Sequence, residues 1–288
     1  MPTPADRLRA LLARPGLLLM PGCHDALSAK LVEQAGFPTA FMSGFAVSAV
    51  RLGLPDTGLI SYGELVEQGR NICDAVSIPL FGDGDTGFGN PLNVKRTVEG
   101  YARAGFGCIM IEDQVMPKRC GHTRGKAVVG REEALLRLRA AVDARNEGTD
   151  ILIMARTDAR ATDGLDEAIA RCQAFADIGA DITFLEAPLS EEEMRRYCNE
   201  VPGPKMVNLI EFGKTPLLPL ARLEAIGYKI AVYPLTLLSV SIKAMRAALA
   251  RIRQEETVDV LDFAELQTVV GFPEYYAGEE RYAAPREG

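Results

Sequence analysis

The sequence predicts an α/β fold of the (β/α)₈, TIM-barrel type. Three observations point there. Eight short apolar runs alternate with longer stretches of helical period, over a span of about 235 residues that suits this barrel. The runs are apolar without clean alternation, as expected of parallel strands covered on both faces. Most of them end in a polar residue, and the C-terminal rim of the strands is where this fold builds its sites. A doubly wound open sheet is the structural rival. No G-x-G-x-x-G follows the first run to support it.

In chain order, Leu17 to Met20 is the first run, and His24 to Ala35 follows with helical spacing. Its stop is Gly36, with His24 as the expected cap. Thr39 to Met42 is the second run, ending at Ser43-Gly44, and Ser61 to Ala75 reads as its helix. Ile78 to Phe81 runs into Gly82-Asp83-Gly84-Asp85. Pro91 to Ala104 has Pro in its first turn and Gly105 after its end, the usual asymmetry of a helix. Phe106 to Ile111 ends in Glu112-Asp113, and Arg131 to Asn146 is helical. Ile151 to Ala155 ends at Arg156-Thr157-Asp158, before a helix from Leu165 to Ile178. Ile182 to Leu185 ends at Glu186, and Ser190 caps an acid-rich helix to Glu200. Lys205 to Val207 ends at Asn208, before a helix from Pro216 to Ile226. Lys229 to Val232 closes the set, followed by helices over Leu235 to Gln254 and Asp262 to Val270. Residues 1–254 are therefore expected to form a barrel catalytic domain, and 255–288 a helical extension. The aromatic segment Gly271-Phe-Pro-Glu-Tyr-Tyr suits contact with a partner subunit.

A chain of 288 residues, 48% hydrophobic, can bury a full core. Its formal charge of −7 argues against nucleic acid and against anionic membrane surfaces as partners. No apolar stretch approaches the roughly 18 residues of a membrane span, and Met1 to Arg14 has no signal-peptide core. A cytoplasmic protein is the expectation. The six cysteines form no C-x-x-C pair, which argues against a disulfide framework and a zinc site. Five suit small buried hydrophobes. Cys120 stands apart inside Lys118-Arg119-Cys120-Gly121-His122. A thiol among cations is expected to ionise easily and to exchange a proton near neutral pH.

The residues ending the runs form a polar set of Ser43, Asp83, Asp85, Glu112, Asp113, Arg156, Asp158, Glu186 and Asn208. So many carboxylates on one rim require a cation among them. Asp83-Gly84-Asp85 would place both aspartates on one side of an extended segment. With Glu112 they offer hard oxygen ligands suited to Mg²⁺, with Mn²⁺ as the alternative. A plain D-G turn is the competing account. Arg156 offers a two-pronged grip on a carboxylate, against a pairing with Asp158. Ser43-Gly44 would present backbone amides to a second carboxylate.

G-D-G-D-T-G-F-G-N, I-E-D-Q-V, K-R-C-G-H and A-R-T-D-A together resemble the isocitrate lyase/phosphoenolpyruvate mutase superfamily, along almost the whole chain. The K-[KR]-C-G-H signature resembles the carbon–carbon lyase branch of 2-methylisocitrate lyases, 2,3-dimethylmalate lyases and the petal death protein. That resemblance implies a Mg²⁺-dependent oxo-acid lyase acting on a small 2-hydroxydicarboxylate. Its products are a 2-oxo acid, such as pyruvate, and an enolate that Cys120 protonates. It implies Asp85 at the metal, with Asp83, Glu112 and Asp56 around it. It further implies Ser43, Gly44 and Phe45 on one substrate carboxylate, Arg156 on the 2-oxo acid end, and Glu186 and Asn208 in the second pocket. Lys118 and His122 would be catalytic together with Cys120 and Arg156, and Gly121 and His122 would touch substrate, all from a mobile lid carrying Cys120. Pro234 matches the lyases, whereas oxaloacetate hydrolases usually carry serine there. A C-terminal helix exchanged between subunits, usually in a dimer of dimers (a homotetramer), is implied as well. Many lyases carry a tyrosine beside the Ser-Gly segment, but here Phe41 and Phe45 have no hydroxyl to act as a base. The alternatives on the same platform are an oxaloacetate decarboxylase or hydrolase and a phosphonate-type mutase. A non-catalytic 2-oxo-acid binding protein is the rival from another class.

Overall fold

The computed structural model describes residues 2–123 and 125–283. The chain divides into two compact units between Leu238 and Ser239. In the first, helix α1 (Pro4–Ala13) is opened by a capping box between Thr3 and Asp6. Eight strands follow: β1 (Leu18–Cys23), β2 (Ala40–Met42), β3 (Leu80–Asp83), β4 (Cys108–Glu112), β5 (Leu152–Thr157), β6 (Ile182–Leu185), β7 (Lys205–Asn208) and β8 (Ile230–Tyr233). They form a closed parallel barrel in chain order, with β8 returning to β1. The expected fold class is the one observed.

The helices between them are α2 (Ala26–Gln34), α3 (Gly44–Leu52), α4 (Tyr62–Ala75), α5 (Pro91–Ala104), α6 (Arg131–Asn146), α7 (Ala159–Thr162), α8 (Leu165–Ile178), α9 (Glu191–Glu200) and α10 (Leu220–Ile226). Three ends match their sequence signals closely: Pro91 and Gly105 bracket α5, and Ser190 caps α9. Ser61, read as the first residue of a helix, caps α4 instead. Asp25, not His24, caps α2, because its carboxylate reaches the Ser28 amide. Helices α1, α3 and α7 were not anticipated. The α3 segment, G-F-A-V-S-A-V-R-L, is apolar on more than one face and starts directly at the end of β2.

The two faces of each strand divide the core. Leu18, Met20, Phe41, Phe81, Cys108, Met110, Leu152, Met154, Ile182, Phe184, Met206, Ile230 and Val232 pack together inside the barrel. Leu8 and Leu11 of α1 join them, and Pro4 lies so close to Gly107 that a Cβ there would meet its carbonyl. The alternate residues, such as Ile109, Ile111, Ile153 and Ala155, pack with the surrounding helices. Because strand side chains alternate, the next inward position after each apolar layer falls on the rim. Phe41 leads to Ser43, Phe81 to Asp83, Met110 to Glu112, Met154 to Arg156, Phe184 to Glu186 and Met206 to Asn208. The fold therefore turns the polar strand ends into one ring.

The second unit begins within α11 (Thr236–Arg253) and contains α12 (Phe263–Val270) and α13 (Phe272–Tyr282). Helix α13 was not anticipated, since its aromatics read as a contact segment. Helices α12 and α13 bury no side chain among the described residues. No described helix is long and apolar enough to cross a membrane.

Candidate active site

A cavity of about 480 Å³, including its open mouth, sits at the rim of the barrel. Of the residues singled out in the sequence, Ser43, Phe45, Asp56, Asp83, Lys118, Cys120, Gly121, His122, Arg156, Glu186, Asn208 and Pro234 line it. Asp85 and Glu112 are buried and join it through shared partners. Gly44 is held against Asp83, whose Oδ2 accepts its amide at 3.1 Å. That amide is therefore taken by the protein's own carboxylate, contrary to the expectation that it would serve a substrate. Ser43 caps α3 through a bond from the Ala46 amide. The apolar walls, Phe184, Met206, Ile210 and Val232 among them, went unmarked in the sequence because they look like ordinary core.

Asp83 and Asp85 do not lie on one extended segment. Asp83 ends β3, and Asp85 takes the left-handed conformation at φ 47° in the turn beyond it. The turn account of D-G-D is therefore correct for the backbone. Asp83 is consumed within that turn, as its Oδ1 accepts from the Asp85 amide at 3.1 Å. Asp85 is left aimed elsewhere, with its carbonyl accepting from the Glu112 amide at 2.9 Å. A side chain at Gly84 would meet the Met110 carbonyl, so the turn needs glycine at that close approach.

Lys118 Nζ lies 2.6 Å from Asp56 Oδ1 and 2.7 Å from Asp85 Oδ1. These are ion pairs without hydrogen-bond alignment, and Asp85 Oδ2 and Glu112 Oε1 are buried with no partner at all. Burial pushes Asp85 up to about 7 despite the Lys118 charge. Burial likewise holds Glu112 well above the usual carboxylate range, against the pull of Arg156. Among the described residues no three His, Cys, Asp or Glu side chains converge as a ready-made metal site. The donor set nevertheless fits a hard divalent cation. Asp56, Asp85 and Glu112 hold under-satisfied carboxyl oxygens around the Lys118 ammonium, and their ionised forms are costly there without a further cation. Asp83, with both oxygens occupied by backbone amides, fits a supporting role.

Arg156 is surrounded. Its Nε meets Asp158 Oδ2 at 2.9 Å and Glu112 Oε2 at 3.3 Å, and its Nη2 meets Asp158 Oδ1 and Glu186 Oε2, each at 3.2 Å. Its guanidinium also lies over the Phe184 ring, 5.3 Å from the centroid. The pairing with Asp158 is thus real, and it leaves Nη1 without a protein partner among the described residues. Glu186 is buried, but Arg156 and His122 hold its carboxyl below the usual range. Asn208 Nδ2 donates to Glu186 Oε2 at 3.4 Å.

The segment after Asp113 leaves the barrel as a loop with zipped stems. Gln114 and Val128 form an antiparallel bridge, and the Val115 amide donates to Ala127. The Gln114 side chain brackets the Arg119 backbone from both sides. His122 Nδ1 accepts from the Lys214 amide at 3.1 Å, which fixes the ring's orientation in the loop. Its Nε2 sits 2.8 Å from Glu186 Oε1 in a short, bent contact. A Cβ on Gly121 would fall 2.5 Å from Arg156 Nη2, so only glycine permits this approach. Cys120 departs from its expectation of easy ionisation. Burial pushes its thiol up to about 11; the His122 amide opposes this while Asp56 and Glu186 add to it. Lys118 is turned to Asp56 and Asp85, and His122 to Glu186, so burial prevails and the group stays a thiol.

A family profile described as phosphoenolpyruvate phosphomutase matches residues 8–253. A 2,3-dimethylmalate lyase of Eubacterium barkeri is 43% identical over 98% of this chain and 99% of its own. A 2-methylisocitrate lyase of Aeropyrum pernix is 40% identical over 93% of this chain and 87% of its own. Among solved structures, one 2,3-dimethylmalate lyase superposes with a TM-score of 0.93 at 35% identity, covering 100% of this chain and 98% of that one. A phosphonopyruvate hydrolase complexed with oxalate and Mg²⁺ gives 0.87 at 32% identity, covering 98% and 99%.

Proposed function

Because the chain belongs to the phosphoenolpyruvate phosphomutase family, we propose that it is a carbon–carbon lyase of the 2-alkylmalate or 2-methylisocitrate type. The relatives named as lyases support the enzyme class. One observation carries the reaction: Cys120, kept as a thiol, lines the same cavity as Arg156 and the Lys118–Asp56–Asp85 cluster. The substrate is a 2-hydroxydicarboxylate: its hydroxyl proton passes to solvent water and the C2–C3 bond pair goes to C3, giving a 2-oxo acid and the enolate of a carboxylate.

Asp85, Asp56 and Glu112 would hold Mg²⁺, with Asp83 fixing the turn that aims Asp85. When bound, the ion supplies electrophilic stabilisation of negative charge on the substrate's oxygens. Arg156 binds the 2-oxo acid end through Nη1, kept in place by its three carboxylate neighbours. The α3 N-terminus after Ser43, at Phe45, faces the other carboxylate. Glu186 and Asn208 shape the second pocket, with Pro234 and the apolar wall. The loop from Lys118 to His122 acts as a lid and excludes water. Cys120 gives its Sγ proton to the enolate carbon, remains as thiolate, and regains a proton from solvent when the lid opens. A donor whose pKa is raised to about 11 keeps its proton until such a carbanion forms. The full reading is a cytoplasmic homotetramer, built as a dimer of dimers.

The test is a panel of 2-methylisocitrate, 2,3-dimethylmalate, oxaloacetate and phosphonopyruvate with Mg²⁺, scored by the 2-oxo acid released. Cleavage of a malate- or isocitrate-type acid is expected to dominate. Dominant turnover of oxaloacetate or phosphonopyruvate would replace this reading with a hydrolase, decarboxylase or mutase. Cys120→Ser should lower kcat by about a hundredfold or more while oxalate still binds with Mg²⁺. Near-normal turnover in that variant would remove Cys120 from its role.

A further inference from the structure

We infer that Lys126 and Asp158 are a positioning pair that ties the returning stem of the lid loop to the guanidinium of Arg156. The inference rests on the reading of Arg156 as the group that takes the 2-oxo acid. Neither residue lines the cavity, so both act through Arg156.

Asp158 sits at the start of α7 but makes no side-chain cap there. Its carboxylate is therefore not committed to the helix. Oδ2 takes Arg156 Nε at 2.9 Å, and Oδ1 takes Arg156 Nη2 at 3.2 Å. The same Oδ1 takes Lys126 Nζ at 2.7 Å. The loop stem and the substrate-facing guanidinium thus share one carboxylate oxygen. Both partners are withdrawn from water, with side-chain exposures of 3% for Lys126 and 0% for Asp158.

The backbone under this oxygen is fixed. The Asp158 amide donates to Asp113 Oδ1, and Asp113 Oδ2 accepts from Thr157 Oγ1 and Arg171. Arg171 also donates to the Val129 carbonyl, where the loop rejoins the barrel. On the other stem, Arg137 of α6 donates to the Gln114 carbonyl. Asp158 is consequently a rigid point, and Lys126 is the loop's attachment to it.

Charge explains why a lysine is needed. Arg156 alone faces Asp158, Glu112 and Glu186. The Lys126 ammonium supplies a second positive charge to Asp158, which leaves more of the guanidinium's field for an incoming carboxylate. Buried charge-assisted bonds of this kind are strong and directional. Movement of the stem would release Oδ1 and loosen one of the two prongs on Arg156, so lid position and substrate grip are coupled.

The experiment uses the full chain with Lys126→Met, Lys126→Arg and Asp158→Asn. Oxalate with Mg²⁺ is the binding probe, measured by calorimetry, and trypsin cleavage after Lys118 or Arg119 reports on the loop. In Lys126→Met, oxalate affinity should fall by about tenfold and loop cleavage should rise by a similar factor. Lys126→Arg should restore both to within about threefold, since it keeps a cation for Asp158. Asp158→Asn, which keeps the shape but removes the carboxylate that both cations share, should raise loop cleavage at least as much as Lys126→Met. Faster cleavage with unchanged oxalate affinity would overturn the coupling and leave only a loop anchor. Weaker binding that Lys126→Arg does not restore would overturn the charge argument. A wild type that binds oxalate but cleaves no acid in the panel would sink the lyase reading alone, and these same measurements would still decide the pair.

Discussion

Gly121 is the residue at which lid and pocket touch most closely. A methyl group there would press on Arg156 Nη2 and on Glu186, both buried side chains with fixed partners. Overpacking of this kind costs roughly 1–3 kcal/mol. The loop can escape by moving outward, so global stability should hardly change while closure suffers. Gly121→Ala is expected to reduce kcat/KM by about ten- to a hundredfold, with a melting temperature near that of the wild type. A variant that melts early with normal kinetics would contradict this. Asp85 allows a second test. Its folded pKa, pushed up by burial to about 7, lies above the usual 3.8. A carboxyl raised in this way stabilises the fold fully below its unfolded value, and that stability is lost as pH rises through about 7. A divalent cation competes with the proton for the same oxygens. Thermal shifts at about pH 6 and pH 8 should therefore show a larger Mg²⁺-induced rise at the higher pH. An equal rise at both would argue against Asp85 as a ligand.

At the scale of elements, the loop between β4 and α6 depends on arginines from two helices. Arg171 of α8 is 4% exposed and binds both Asp113 and the Val129 carbonyl. Arg171→Met would leave Asp113 buried without its cation, a loss of about 3 kcal/mol. Denaturant unfolding should detect that loss, and trypsin should find the loop more easily. An unchanged midpoint would mean that Thr157 and the Asp158 amide suffice. Such clamps were beyond reach in the sequence, because Arg171 and Arg137 are ordinary helix residues whose partners lie dozens of positions away. The strands were more legible, since a double-faced apolar run followed by a polar residue is itself the barrel's rim pattern. That pattern located Asp83, Glu112, Arg156, Glu186 and Asn208. It misjudged the geometry after β3, because strand alternation was extended through Gly84 into a turn where Asp85 has positive φ. It also misjudged Cys120, because neighbouring cations in sequence were assumed to face the thiol. In the folded loop Lys118 turns to Asp56 and Asp85, and His122 Nε2 lies against Glu186.

On the scale of the whole molecule, the two units differ in how they treat apolar side chains. The barrel hides its own on both faces of every strand. The second unit leaves Met245, Leu249, Ile252, Phe263, Leu266, Val270, Tyr275 and Tyr276 exposed, from α11 through α13. An exposed apolar face of that extent is characteristic of a surface that is covered in solution. A second copy of the chain is the partner we propose, in line with the expected dimer of dimers. Light scattering after size exclusion should give a mass about four times that of a single chain of 31.2 kDa. Leu249→Glu combined with Phe272→Glu puts charge into the face and cannot disturb the barrel's interior layers. The pair should lower the assembly state while leaving the far-ultraviolet spectrum of the barrel intact. If the wild type runs as a monomer at micromolar concentration, another partner covers this face and the oligomer proposal fails. If it assembles and the double variant assembles equally well, the contact lies elsewhere on the chain.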